Sequence, residues 1–222
     1  MNEKLKVWGI LGGVSLLTIS LIYIVSRPKK SKDFKKKLIR LANEEHDAWN
    51  VGGKRIKEGD SRTLDRLRKY WQEGSKVQES DYHYINEPWS ASFISYIMRK
   101  AGAGNDFKYA QSHSQYIEQS IKNRKENKSA NFKGYKPNEV KVKVGDLVCY
   151  PREAGVSYES LAGYKSHCDL ITEINGNIAI GIGGNVSDSV TKKKYVLKDG
   201  KIDKSKDDKG YGGIFAVIKN YK

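Results

Sequence analysis

Cysteine is scarce in this 222-residue chain: Cys149 and Cys168 are the only two, too few for a disulfide framework. Their spacing from the four histidines does not fit a zinc site, and no metal ligand set is expected. Both are read as small buried hydrophobes inside strands, able to oxidise to each other if the domain is exported. No internal repeat and no phosphate-binding P-loop is present, and neither metal nor organic cofactor is implied. Hydrophobic residues reach only 38%, which fits a wetted α+β domain with Gly-rich turns better than a large apolar core.

Negative charge is in deficit. Lys and Arg number 41 against 26 Asp and Glu, a formal net charge of +15. Such a balance favours anionic partners, either wall polymers or acidic lipid headgroups. The basic residues gather from Arg27 to Lys37, Lys122 to Lys143 and Lys192 to Lys209. No RNA- or DNA-binding signature accompanies them, which argues against nucleic acid. Val7 to Val25 is an uncharged apolar run of 19 residues, long enough at 1.5 Å per residue to cross a bilayer. Ser26-Arg27-Pro28 is a poor cleavage site, so residues 1–30 are expected to be a retained N-terminal transmembrane anchor and 31–222 one domain. Arg27 and the six lysines after it favour a cytoplasmic domain by the positive-inside rule. Signal anchors often override that rule, and the expectation adopted is a single-pass protein with its domain outside the cytoplasm.

Pro88-Trp89 breaks the chain just before an apolar helix that starts with Ser90-Ala91-Ser92-Phe93-Ile94. Free N–H groups and the positive dipole end at a helix start favour an anionic nucleophile or oxyanion there. Downstream, Ser166-His167-Cys168-Asp169-Leu170-Ile171 reads as a strand, followed by Gly183-Gly184-Asn185-Val186. A nucleophile on a helix, then a histidine on a strand, then an amide is the papain-like order of parts.

Over residues 38 to 190 the chain resembles the NlpC and CHAP type of bacterial cell-wall hydrolase. Those read W-C-A-x-F-[IV] at the nucleophile, H-[VC]-[GD]-[IL]-[VI] at the base and G-G-N at the orienter. The likeness is greatest to an uncharacterised branch that reads W-S-A-x-F-I and H-C-D. The resemblance implies Ser90 as nucleophile, His167 as base and Asn185 as orienter, with Ser in place of the usual Cys. It implies hydrolysis of an amide or peptide bond in peptidoglycan or a related peptide, on a papain-like α+β fold with helices first and an antiparallel sheet after. A thiol of pKa about 8.5 can be ionised beforehand by a helix terminus and a histidine, whereas a serine must lose its proton during attack. Ser90 therefore requires a base within about 2.6–3.2 Å.

Hydrophobic parity brings the same residues together. Leu170, Thr172 and Ile174, then Ile178, Ile180 and Ile182, share even positions around Asn175-Gly176-Asn177. A three-residue loop pairing Ile174 with Ile178 places His167 across from Asn185 on the other face, with Asp169 two residues along. Asp169 is a second candidate orienter or substrate contact. Trp89, His113, Tyr150 and Arg152 are further candidates, His113 because the resembling branch also reads H-x-x-Y-I. Helices are expected over 33–50, 64–71 and 89–101 and from Ser112. Strands are expected at Gly145–Tyr150, in the histidine hairpin, in a hairpin turning at Asp199-Gly200, and at Gly213–Ile218. Two other readings stay open: a catalytically inactive tethered binding module on the same fold, and a cytoplasmic polybasic protein at the membrane surface.

Overall fold

Phe34, Leu38 and Ala42 recur along one stripe of the first helix and are buried, while Lys36, Lys37, Arg40 and Glu44 face water. This helix, α1, covers 33–48 of a computed structural model that describes residues 33–222. A short hairpin follows, β1 Asn50–Val51 with β2 Lys54–Arg55. Helix α2, Leu64–Lys69, runs on into a π-helical turn at Tyr70–Ser75. Helix α3, Asp81–Asn86, follows. Its N-cap Ser80 accepts from the His83 N–H. Helices α4, Ser90–Ala101, and α5, His113–Lys125, complete the helical half.

Seven strands make the second half: β3 Phe132–Tyr135, β4 Leu147–Pro151, β5 Ser166–Asn175, β6 Ile178–Gly183, β7 Thr191–Lys198, β8 Lys201–Ile202 and β9 Ala216–Asn220. They pair antiparallel in the order β3-β9-β4-β5-β6-β7-β8. The chain is thus α+β, helices first, with a curved half-barrel sheet after them. One sheet face, with Leu147, Cys149, Cys168, Leu170, Ile182 and Ile218, packs on the helices. The other encloses Val148, Tyr150, Ile171, Ala179, Tyr195 and Leu197. Asp199 and Gly200 both have positive φ and close the β7–β8 hairpin, the turn expected from their sequence.

Three expectations are corrected here. Among the described residues no helix is long and apolar enough to cross a membrane, because even α1 and α5 carry charged faces. Val7–Val25, the expected span, lies outside the described residues, and the single-pass membrane assignment, with its extracytoplasmic placement, is not carried further. The β5–β6 loop has two residues, since Asn175 pairs with Ile178 and Ile174 with Ala179. A bulge between Ile171 and Glu173 then shifts the register by one, so Leu170 joins the helix-side core while Ile174 packs against the opposite one. The cysteines, paired across β4 and β5, form a disulfide at a sequence separation of 19. It links two neighbouring strands already held by the ladder, and leaves the chain no free thiol. Glu45, on α1, is buried and receives Tyr70 Oη–H and, at 2.8 Å, Arg66.

Candidate active site

Helix α4 begins at Ser90 because Trp89 is locked beneath it. The Trp89 indole stacks on Trp49 at 4.9 Å and Tyr70 at 5.5 Å, and its Nε1–H donates to Glu58 at 2.6 Å. It is fully buried, so Trp89 positions the helix start and is not open to a substrate. The first backbone bond of the helix runs from Phe93 N–H to Trp89 C=O, which leaves the N–H groups before it without intrahelical acceptors. Ser90 lies at the edge of a cleft of about 630 Å³, with His113, Arg152, Lys165, His167 and Asn185 also on its walls.

Ser90 Oγ is 2.7 Å from Nε2 of His113, the first residue of α5. The other ring nitrogen, Nδ1, is bonded to Tyr116 Oη, one helical turn along the same face. Both His113 and Tyr116 are buried. Burial lowers the His113 pKa well below the ordinary imidazole value, with the neighbouring His167 acting in the same direction, so the ring is neutral at pH 7. Burial likewise raises Tyr116 and keeps it a phenol.

His167 stands beside this pair, its ring centroid 5.2 Å from that of His113. Its partner is Asp169, two residues along the same face of β5, with His167 Nε2 to Asp169 Oδ1 at 2.8 Å. Tyr195 Oη–H donates to the other carboxylate oxygen, and Lys193 Nζ lies 3.3 Å from it. Burial opposes the Asp169 charge, yet His167, Lys193 and Tyr195 together outweigh it and hold the carboxyl below its ordinary range. Burial lowers His167 as well, against the pull of Asp169. A neutral His167 therefore donates Nε2–H to an anionic Asp169, and Nδ1 is its remaining nitrogen. Tyr150, paired with His167 across β4 and β5, accepts from Lys193, and burial keeps its phenol protonated.

The structure thus divides the residues expected to form one Ser90, His167 and Asn185 triad. Ser90 contacts His113, and His167 contacts Asp169. Asn185 lines the cleft but, among the described residues, makes no hydrogen bond to His167. Strand β6 ends at Gly183, and Asn185, Ser187 and Asp188 turn the chain away with positive φ. The two glycines before Asn185 are explained by close approach. A Cβ on Gly183 would lie 1.8 Å from Asp169 Oδ1 and 2.7 Å from His167 Nε2. One on Gly184 would meet Phe93 and Trp89 at 2.7 Å. Sequence reading passed over Tyr116, Lys193 and Tyr195. The signals were there in the i,i+3 spacing of His113 and Tyr116 and in the odd-numbered alternation Lys193, Tyr195, Leu197.

Among the described residues no group of three or more His, Cys, Asp or Glu side chains is placed to hold a metal ion. Fold and site together define an α+β protein with a serine–histidine contact in an open cleft. A family of uncharacterised proteins conserved in bacteria, DUF2272, matches residues 46–211, and the chain belongs to this family. No curated protein and no solved structure matches it.

Proposed function

We propose that this protein hydrolyses an amide or peptide bond, with Ser90 as nucleophile. The observation that carries this reading is the 2.7 Å contact between Ser90 Oγ and His113 Nε2 at the edge of the cleft. As the carbonyl carbon is attacked, the Ser90 proton passes to His113 Nε2. The C–N bond then breaks, the proton goes to the leaving nitrogen, and an acyl-serine remains. Water, giving its proton to His113, attacks the acyl carbon; Ser90 leaves and is reprotonated. Backbone N–H groups at the start of α4 are placed to stabilise the oxyanion. For this role His113 must carry its proton on Nδ1, donated to Tyr116 Oη, so that Nε2 can accept. His167, held by Asp169, packs beside His113 with ring centroids 5.2 Å apart and keeps that ring in position.

Peptidoglycan or a related peptide is the substrate class favoured by the likeness to NlpC and CHAP hydrolases. The chain keeps their order of nucleophile helix, histidine strand and G-G-N segment, but the histidine touching Ser90 comes from α5.

Purified peptidoglycan and its muropeptides, incubated with the full chain, test the reading. The wild type should release new amine ends, and Ser90→Ala and His113→Ala should each lower turnover by about 10³-fold or more. Loss in His167→Ala with retention in His113→Ala would move the base to His167. A silent wild type beside an active Ser90→Cys would favour the inactive binding module.

The acid limb of kcat/KM gives a separate check. His113 acts unprotonated and burial lowers its pKa, so activity should persist below pH 6.5, the ordinary imidazole value of about 6.5 marking where an exposed base would fail. An acid limb at or above that value would argue against a buried base.

A further inference from the structure

We propose that the cleft recognises its peptide through a free carboxylate, held between Arg152 and Lys165, within one or two residues of the scissile amide. This rests on the hydrolase reading above and deepens it. Tyr150 pairs with His167 and Pro151 with Ser166, and the ladder runs one step further, Arg152 N–H donating to Lys165 C=O at 2.8 Å. Side chains alternate across a strand, so Arg152 and Lys165 stand opposite each other on the face that carries Tyr150 and His167. They lie one side-chain repeat beyond His167, about 7 Å along the strand. Both line the cleft and both are exposed.

Two like charges facing each other repel unless an anion lies between them. No such anion is supplied by the chain. Among the described residues neither Arg152 nor Lys165 forms an ion pair, and the acids nearby are engaged elsewhere. Asp188 is paired with Lys57 at 3.2 Å, and Glu153 accepts from the Lys165 backbone N–H at 3.0 Å. Lys193, the other cation of this face, is committed to Asp169 and Tyr150. Arg152 instead lies 5.6 Å from the Tyr150 ring centroid with its guanidinium toward the site, and its charge is felt by both His113 and His167. A guanidinium and an ammonium on one face of a cross-strand pair can together take the two oxygens of one carboxylate. A peptide ending in a free acid close to the cleaved bond satisfies both, and its terminal amide would leave them unpaired.

The test measures binding of N-acetyl-lysyl-alanyl-alanine, as the free acid and as its C-terminal carboxamide, to the full chain carrying Ser90→Ala. The free acid should bind about tenfold more tightly, with the preference falling as salt rises. Arg152→Gln with Lys165→Gln should bring the two peptides to parity without moving the thermal midpoint, since both side chains are exposed. Equal binding of the two peptides overturns the proposal, as does a preference that survives the double substitution or no measurable binding of the acid at millimolar concentration. The readout needs no turnover, so a failure of the hydrolase reading shows in the wild-type assay and a failure of carboxylate recognition shows here.

Discussion

Gly183→Ala should lower turnover by about 100-fold, although it touches neither Ser90 nor His113. Its Cβ would fall 1.8 Å from Asp169 Oδ1, and Asp169 is fully buried and bonded on both oxygens. Either β6 moves away from β5 or Asp169 swings off His167. A displacement of about 1 Å in a reacting constellation commonly costs two orders of magnitude. Overpacking should also cost up to about 3 kcal/mol, read as a lower denaturant midpoint. A Gly183→Ala protein with wild-type kcat/KM would mean that the His167–Asp169 pair has no part in the reaction.

Asp169→Ala carries the larger stability effect. Removing the carboxylate leaves Lys193 half-buried without its counter-charge and strips Tyr195 and His167 of their shared acceptor. Breaking a buried pair from one side costs about 3–5 kcal/mol, and equilibrium unfolding in urea measures it. The pH dependence follows from the sign of the shift. The folded carboxyl titrates below its unfolded value of about 3.9, so the stability it confers is fully present above that pH. It is lost as pH falls through the folded value. The stability gap between wild type and Asp169→Ala should hold from neutrality to about pH 4 and narrow only below it. A gap that closes near pH 6 would place the linkage on the histidines.

The order of elements was legible because each rests on local pattern. Pro88-Trp89 before an apolar run marks the start of α4, and Asp199-Gly200 marks the β7–β8 turn. What escaped depends on tertiary packing or on single-residue irregularities. Nothing in the sequence announces the bulge at Thr172, yet it decides which core Ile174 enters. Helix α3 and strand β3 are short, with their apolar residues too few to show a period. The Ser90–His113 contact joins the first residues of two helices 23 positions apart, a meeting set by how α4 and α5 dock. Parity along β5 put Asp169 on the face of His167, which is why it stood among the candidates. The same parity favoured Asn185 only so long as β6 was taken to run past Gly183.

The Cys149–Cys168 bridge encloses the segment from Pro151 to Ser166, with Arg152 and Lys165 just inside its two ends. That segment is a covalent ring whose base is the β4–β5 pair. Cutting, lengthening or replacing its outer part leaves both strands, and the histidine borne by one of them, joined to each other. In this chain the outer rim of the cleft can therefore change in sequence and length while the wall behind it keeps its register.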